Sequence, residues 1–172
     1  DEFASYLRWN INSVLSSEPL SVSEEISHTK KYLDLEKERF GDVLNVVWNV
    51  SDDSFFIPPL VLQPLVENAV RHGICQKEDG GTIWIDIYSD INDHHIVITD
   101  NGEGFDTSDP GESNDKLHVG LSYAREQVEG ICGGKIAVES TTGRGTKVHI
   151  SLPRENNTIF SLHYKNEKMD SN

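Results

Sequence analysis

The 172-residue sequence has few cysteines, few basic residues and no long apolar run. Cys75 and Cys132 do not form a CxxC pattern, so the sequence predicts two reduced thiols rather than a metal-binding or disulfide framework. With 15 basic and 29 acidic residues, the formal net charge is −14. We therefore expect no nucleic-acid binding, because counterion release from phosphates needs clustered lysine and arginine.

No apolar run approaches the roughly 18 residues that a membrane helix needs, so we expect no membrane segment in this chain. The beginning, Asp1-Glu-Phe3, has no recognisable signal peptide. The length favours one domain with a small appendage. Because the sequence begins abruptly, we expect it to be a piece of a longer protein.

Two helices are predicted before the first strand. Apolar side chains recur at helical spacing over residues 3–16. Ser21 and Glu24 have the spacing of a capping box, which predicts a second helix that runs to about Phe40 and ends at Gly41. Together these helices predict a helical hairpin.

The rest of the chain alternates between strand and helix patterns. Strands are predicted over residues 44–50, 82–88, 94–100, 135–140 and 145–152, and helices from Pro58 to about Gly73 and from Val119 to about Ile131. Residues 106–118 are rich in turn formers and predict a mobile loop, and the segment after Arg154 predicts a polar tail. This order predicts a two-layer α/β sandwich, with a mixed sheet and helices on one face.

Four polar residues, Glu67, Asn68, Arg71 and His72, share one sector of the helix that begins near Pro58. A solvated helix face would give the same pattern. The functional alternative is that Asn68 supplies an oxygen ligand to Mg²⁺. Arg71 and His72 would then face phosphate oxygens.

A glycine-rich turn follows Asp100 at the end of a predicted strand. Gly102 and Gly104 would let the backbone pass close to a flat ring, and the Asp100 carboxylate could accept a hydrogen bond from an exocyclic amine. An ordinary hairpin is the alternative. The segment from His118 to Leu121 could offer backbone N–H groups to phosphates, or it could be a plain helix start.

The order and spacing of these segments resemble the Bergerat-fold (GHKL) ATP-binding superfamily. Residues 67–73 (ENAVRHG) are similar to its N box, residues 100–105 (DNGEGF) to its G1 box, and residues 119–127 to its G2 box; residues 143–146 (GRGT) are similar to its last glycine turn. More narrowly, residues 62–73 and the upstream residues 24–41 resemble LytS-like bacterial sensor histidine kinases. The resemblance covers about residues 1–153.

This resemblance implies a Bergerat fold and a magnesium-dependent ATP site. Asn68 would ligate Mg²⁺, and Asp100 would accept the adenine amine. The remaining ATP-binding residues would be Arg71, His72, Gly102, Gly104, Phe105, His118, Val119, Gly120, Leu121 and Thr146, with residues 106–118 as the ATP lid. His118 departs from the family, which usually has glycine there.

Two positions bear on catalysis. Hydrolysing and anti-sigma members of the superfamily commonly place a general-base glutamate one turn before the magnesium asparagine, and this chain has Pro64 there. Proline cannot accept a proton, so the sequence argues against a gyrase-like or MutL-like ATPase and an anti-sigma serine kinase. Glu67 and Asn68 are the candidate catalytic residues. Glu67 would polarise a nucleophile, or it would only support the magnesium site.

The kinases of this family carry a phosphoacceptor histidine on an upstream helix, and this chain has no matching segment. His28 lacks the required context, and we expect it to be exposed to solvent. We predict a partial dimerisation region over 1–41, an ATP-binding catalytic domain over 42–153 and a polar tail over 154–172. His94 and His95 alternate along a strand and are not expected to chelate one ion together.

The resemblance thus implies the catalytic domain of a two-component sensor histidine kinase, which transfers the ATP γ-phosphoryl group to a histidine outside this chain. Its expected partners are ATP, Mg²⁺, a response regulator whose aspartate receives the phosphoryl group, and a second copy in a homodimer. We expect a cytoplasmic domain of a membrane-anchored bacterial protein. The alternatives are a nucleotide-sensing pseudokinase, which His118 keeps open, and a GHKL ATPase switch.

Overall fold

The computed structural model describes residues 19–77, 79–106 and 115–157, with the backbone alone described over 115–119. The predicted helix over residues 3–16, loop residues 107–114 and the tail beyond residue 157 lie outside these ranges. The described residues form the predicted mixed sheet with helices. Among them, no helix is long and apolar enough to cross a membrane.

The main strands and α-helices of the described residues follow one another in a simple order. They are β1 (Leu20–Ser21), α1 (Val22–Phe40), β2 (Leu44–Val50), β3 (Phe56–Ile57), α2 (Leu62–Asn68), β4 (Gly81–Ser89), β5 (Asp93–Asp100), α3 (Asp115–Arg125), β6 (Lys135–Thr141) and β7 (Gly145–Pro153). Helix α2 continues as a wider π-helical turn, Ala69–Gly73, and α3 as a second one, Glu126–Ile131. Each of the five longer strands lies within one or two residues of its prediction.

The large sheet has the strand order β2-β4-β5-β7-β6, with β2 parallel to β4 and every other pair antiparallel. Strand register aligns side chains into rows that cross the sheet. From one end of the sheet, the rows are Ile87, Ile96, Ile150 and Ile136; then Ile85, Ile98, Val148 and Val138; then Ile83, Asp100, Thr146 and Ser140. Burial of the first two rows against the helices holds the layers together, and the third row brings polar groups to the end of the sheet.

Helix α1 packs on the same core as the large sheet. Its predicted capping box is confirmed: the Ser21 hydroxyl accepts from the Glu24 N–H at 3.3 Å, and the Glu24 carboxylate accepts from the Ser21 N–H at 3.1 Å. Val22, Ile26 and Leu33 are buried in the core. The division of the chain at residue 41 stays a prediction, although α1 shares its apolar contacts with the rest of the fold.

Two predicted helix starts were wrong. Helix α2 begins at Leu62 and not at Pro58, because Leu60 has a left-handed backbone (φ 58°) that breaks the helix. Helix α3 begins at Asp115, so residues 115–118 are helical rather than part of a loop. An acidic residue in the first turn is stabilised by the positive end of the helix dipole. The prediction of a loop rested on turn-forming residues and did not include this effect.

The predicted solvent exposure of His28 was also wrong. His28 is only 8% exposed, and it lies on the buried side of α1 with Glu25, Thr29 and Tyr32. Burial first, and then the charge of Lys31, lower the pKa of His28 to about 4, so its imidazole is neutral near pH ~7. The inner side of α1 is therefore a mixed polar and apolar surface.

Candidate functional site

A cleft opens between α2 with its π-helical turn and the polar end of the large sheet. It encloses about 750 Å³ of empty space when the open solvent at its mouth is included. Its lining residues are Leu65, Asn68, Ala69, His72, Gly73, Ile98, Asp100, Gly104, Phe105, Leu121, Val138, Thr146 and Val148. Eight of these lie on the sheet and the two glycine turns or on α3, and the other five on the helix, so two predicted motifs meet here.

Asp100 is the acidic group of the cleft. It ends β5, is 5% exposed, and accepts a hydrogen bond from the Gly102 N–H at Oδ1, 2.8 Å away. Burial raises the pKa of its carboxyl, although backbone hydrogen bonds from Gly102 and Thr146 and the charge of Lys77 act in the opposite direction. A buried carboxylate at the inner end of an apolar cleft is a strong hydrogen-bond acceptor for a ligand N–H.

A hydroxyl pair lies beside Asp100. Thr146 pairs with Asp100 across β5 and β7, and its Oγ1 is 2.9 Å from the Ser140 Oγ. The Ser140 Oγ also accepts from the backbone N–H of Phe105 at 2.9 Å. This chain of hydrogen bonds ties the glycine turn after β5 to β6 and β7, and fixes the polar end of the cleft.

Close backbone contacts require glycine at the turn. A Cβ atom on Gly102 would lie 2.2 Å from the Cα of Gly73, and one on Gly73 would lie 2.7 Å from the Asp100 Oδ1. Gly104 has φ 63° and faces the Thr141 carbonyl, so it too excludes a side chain. Gly102 is thus required by its contact with Gly73, and of the two predicted ring-lining glycines only Gly104 lines the cleft.

The walls of the cleft are apolar. Ile98 and Val148, neighbours in the second row of the sheet, form one side, and Leu65 and Ala69 from the helix form the other. Apolar walls on two sides with a hydrogen-bonding end suit a flat, amine-bearing heteroaromatic ring. The apolar walls and the hydrogen-bond acceptor therefore fit adenine.

Asn68 lies at the end of α2, where that helix meets α3. A Cβ atom on Gly120 would be 3.2 Å from the Asn68 Nδ2 and 3.4 Å from the Pro64 Cβ. Gly120 thus allows α3 to pack closely on the side chain of Asn68. The half-buried Asn68 amide lines the cleft on the wall opposite the sheet, where its oxygen is suited to ligate a hard cation.

The other predicted residues of this helix are spread around it. His72 lines the cleft, whereas Arg71 is exposed and does not. The stripe that faces the cleft runs through Leu65, Ala69 and Gly73, and Arg71 falls outside it. Its predicted contact with phosphate stays a prediction.

Glu67 is half-buried beside the cleft rather than on its lining. Its Oε1 accepts a hydrogen bond from the Gln63 Nε2 at 2.7 Å, one turn earlier on α2. This contact fixes the Glu67 carboxylate near Asn68. Its predicted catalytic role stays a prediction.

The G2-like segment supplies the last wall. Leu121 lines the cleft, and Gly120 lies against Asn68. The backbone of His118 and Val119 is helical, and their side chains lie outside the described residues, as does most of the predicted lid. Because α3 begins at Asp115, the backbone N–H groups of residues 119–121 lie beyond its first turn, where they bond to carbonyls four residues earlier and are not free donors.

Ser140 was not predicted to be part of the site, and Gly73 was predicted only as the last residue of the N box-like segment. Gly73 ended a predicted helix and was not linked to the second glycine motif 29 residues later. Its contact with Gly102 depends on the packing of α2 onto β5. Ile98 and Val148 had a usable pattern, since each lies two residues along a strand from Asp100 or Thr146 and so faces the same side.

A different group of possible metal ligands lies at the other end of β5. The ligand atoms of Asp90, Asp93 and His95 are within 4.8 Å of one another. Asp90 already accepts hydrogen bonds from the backbone N–H groups of Asn92 and Asp93 in the hairpin turn. This group therefore has a structural use, and the cleft does not include it.

Comparison with known proteins agrees with this geometry. The family model for histidine kinase-, DNA gyrase B- and HSP90-like ATPases matches residues 58–156, more than half of the chain. The chain belongs to this family. The matched segment includes α2, both glycine turns and α3, and thus every element that lines the cleft.

Curated relatives extend the similarity upstream of the matched domain. YwpD, an uncharacterised protein of Bacillus subtilis (strain 168), is 36% identical over 162 residues, which cover 88% of this chain and 56% of YwpD. Sensor histidine kinase YpdA of Escherichia coli (strain K12) is 29% identical over 161 residues, which cover 91% of this chain and 28% of YpdA. Sensor histidine kinase/phosphatase LytS of Staphylococcus aureus (strain MRSA252) is 29% identical over 154 residues, 79% of this chain and 25% of LytS.

Solved structures confirm the fold. The catalytic domain of histidine kinase ThkA has a TM-score of 0.62 at 17% identity, with 78% of this chain and 95% of that chain covered. The mycobacterial sensor histidine kinase MprB has a TM-score of 0.59 at 20% identity, with 80% and 97% covered. The predicted resemblance and fold class are therefore confirmed, while the chain spans only about a quarter of the length of YpdA and LytS.

Proposed function

We propose that this chain is the ATP-binding catalytic part of a two-component sensor histidine kinase. It would transfer the γ-phosphoryl group of ATP to a histidine that lies outside the chain. The observation that carries the proposal is the cleft itself: a buried Asp100 at the end of two apolar walls, with the Asn68 amide near the opening. The similarity to YpdA and LytS, both named sensor histidine kinases, supports it.

Different residues of the cleft would contact different parts of the nucleotide. The Asp100 carboxylate accepts the adenine amine, and Ile98 and Leu65 enclose the ring. Thr146 contributes its hydroxyl at the same end. His72 lines the cleft one helical turn after Asn68, where a phosphate oxygen would meet its imidazole. Arg71 is a further candidate for the phosphate side.

Asn68 holds Mg²⁺ in this proposal, through its amide oxygen. The ion would neutralise charge on the transferred phosphoryl group, as metal ions do in such reactions. The protein's own contribution is positional: Gly120 and Pro64 pack on Asn68, and the Gln63 side chain orients Glu67 beside it. Glu67 then polarises the attacking nucleophile or supports the metal site.

Pro64 separates this proposal from ATP hydrolysis. Pro64 contacts the Asn68 region through Gly120 and offers no group that can activate water. Phosphoryl transfer to histidine needs no such base, because a neutral imidazole is itself a nucleophile. An ATPase switch would have to use Glu67 instead.

The expected partners follow from the kinase proposal. A response regulator would accept the phosphoryl group on aspartate, and a longer, membrane-anchored parent protein would dimerise through helices upstream of α1. The net charge of −14 favours a partner surface that carries basic residues over nucleic acid.

Transfer in trans tests the proposal. The chain is incubated with Mg²⁺ and γ-labelled ATP together with a separate helical segment that carries the phosphoacceptor histidine of a LytS-like kinase. Acid-labile, base-stable label on that segment, lost in Asn68→Ala and kept in Asn45→Ala on the exposed edge strand, is the expected result.

ATP binding without any transfer would instead favour the nucleotide-sensing pseudokinase. Steady phosphate release without an acceptor would favour the ATPase switch. The kinase proposal would be contradicted if the chain bound or hydrolysed ATP but did not label a helix that other LytS-like kinases phosphorylate.

A further inference from the structure

A buried carboxylate on α1 reaches across to the start of α2. Glu25 is fully buried, with 0% of its surface exposed. Its Oε1 accepts from the Leu60 N–H at 2.7 Å, and its Oε2 accepts from the Leu62 N–H at 3.2 Å. These bonds join residues 35 and 37 positions apart, and they satisfy backbone donors that the beginning of a helix leaves free.

The donor side of this contact is a strained turn. Leu60 is the one non-glycine residue with positive φ (58°) among the described residues. Side chains disfavour this backbone conformation, so it needs outside support to persist. The Glu25 carboxylate supplies that support at the Leu60 N–H itself.

The same turn is also bonded to α3. The Tyr123 hydroxyl donates to the Pro59 carbonyl at 3.2 Å. Burial, and then the charge of Glu25, raise the pKa of Tyr123, which places the phenol near the carboxylate. The turn at Pro59 and Leu60 is thus held by α1 on one side and by α3 on the other.

This turn controls where the nucleotide site lies. Helix α2 begins two residues after Leu60 and ends at Asn68, about 9 Å further along its axis at ~1.5 Å per residue. Helix α3, anchored through Tyr123, packs Gly120 against Asn68. A shift of the turn would move both walls of the cleft that come from helices.

We propose that Glu25 is a positioning residue for the nucleotide site: its carboxylate fixes the turn at Leu60 and the first turn of α2 to α1, so that the placement of α1 on the domain sets the position of Asn68. This inference rests on the proposed ATP site. It makes α1, the helix that leads into the domain, the element through which an upstream signal alters nucleotide binding.

Protonation of Glu25 should weaken ATP binding, as substitution by glutamine should. A neutral carboxyl is a weaker acceptor for two N–H groups, so the turn is held less firmly. The titratable group that faces Glu25 from α3 is Tyr123, which stays neutral near pH ~7 because its pKa is raised. On α1 itself, His28 lies one turn further along and is neutral in the same range; α2 contributes the uncharged Gln63.

The test compares Mg²⁺-ATP affinity by calorimetry for the whole chain, for Glu25→Gln, and for Glu38→Gln as a matched control. Glu38 is exposed on the same helix, so its substitution removes one charge without touching the turn. We expect Glu25→Gln to bind about tenfold more weakly, the factor for one hydrogen bond to a charged group, and Glu38→Gln to bind as the unchanged chain does.

Two further readouts keep the outcome clear. Amide hydrogen exchange at Leu60 and Leu62 should be faster in Glu25→Gln than in Glu38→Gln, with no nucleotide present. The affinity of the unchanged chain should fall between pH ~8 and pH ~6, and Glu25→Gln should lack that part of the pH dependence. If Glu25→Gln does not fold, this pH profile of the unchanged chain, compared with that of Glu38→Gln and of Leu60→Gly, provides the test, since glycine relieves the strain at residue 60 and should flatten the profile.

Equal affinity and equal exchange in the unchanged chain and in Glu25→Gln would overturn this inference alone. A chain that binds no ATP at all would overturn the proposed function, and this inference with it. The two failures are therefore distinguishable by the behaviour of the unchanged chain.

Discussion

At the scale of single residues, the proposed function assigns the specificity of the cleft to Asp100. Asp100→Asn keeps the shape of the side chain but replaces one acceptor oxygen with an NH₂ donor. We expect ATP affinity to fall about tenfold or more, because the adenine amine would meet a donor in a buried site. Calorimetric titration with ATP and with GTP measures the effect, and the preference for ATP should shrink.

The control for Asp100 is Asp53→Asn, which changes an exposed carboxylate that does not line the cleft. It should leave both affinities unchanged. An Asp100→Asn variant that binds ATP as tightly as the unchanged chain would contradict the assignment of Asp100 to the adenine amine.

The contact between Gly73 and Gly102 gives a second prediction at this scale. Gly102→Ala would place a Cβ 2.2 Å from the backbone of Gly73, so the two glycine motifs must separate. We expect a loss of about 1–3 kcal/mol in the free energy of unfolding, the usual cost of overpacking, and weaker ATP binding. Urea denaturation measures the first effect.

Gly130→Ala is the matched control, since Gly130 lies in the π-helical turn after α3 and has no atom within 4 Å of the added Cβ. A helical glycine changed to alanine gains up to about 1 kcal/mol. Equal effects of the two substitutions on stability would show that the close contact at Gly102 does not constrain the fold.

At the scale of elements, the contact between α1 and α2 has a consequence for stability. Burial is the main cause that raises the pKa of Glu25 to about 7, despite the backbone hydrogen bonds from Leu60, Leu62 and Gln63. A raised folded-state pKa means that the folded chain holds this proton more tightly than the unfolded chain. The resulting stabilisation is complete below the unfolded pKa, near 4.5, and is lost as the pH rises through about 7.

We therefore expect the melting temperature of the unchanged chain to fall, relative to that of Glu25→Gln, as the pH is raised from ~6 to ~8. Scanning calorimetry over this range measures the difference, with Glu38→Gln expected to follow the unchanged chain. Parallel curves for the unchanged chain and Glu25→Gln would show that Glu25 does not titrate in this range. The same protonation that stabilises the fold weakens the hold on Leu60, so stability and nucleotide affinity should respond to pH in opposite directions.

The elements also show what the sequence could and could not predict. The strands and the row that ends in Asp100 and Thr146 were predictable, because alternation along a strand fixes which side chains share a face. The start of α2 was not, because the turn at Leu60 is held by Glu25, 35 residues earlier. The prediction that His28 is exposed also failed. Its burial depends on which side of α1 packs on the core, and polar residues occupy that side.

At the scale of the whole molecule, one sheet end gathers motifs that are far apart in the sequence. Residues of α2, the turn after β5 and the turn before β7 span slightly more than 80 positions, and the fold brings them to the same end of the sheet. Each motif alone was weak evidence for a binding site. Their order along the sequence is what resembles the GHKL superfamily. Loop residues 107–114 and the upstream helix lie outside the described residues, so a lid formed by residues 107–114 stays a prediction.

The central claim is a magnesium-dependent ATP site that depends on Asn68, and calorimetric titration of the chain with ATP, with and without Mg²⁺, tests it most directly. The chain should bind ATP more tightly when Mg²⁺ is present. That gain should be lost in Asn68→Ala and kept in Asn45→Ala. Binding that is the same with and without Mg²⁺, or that survives unchanged in Asn68→Ala, would contradict the assignment of Asn68, and no binding in the unchanged chain would contradict the nucleotide site itself.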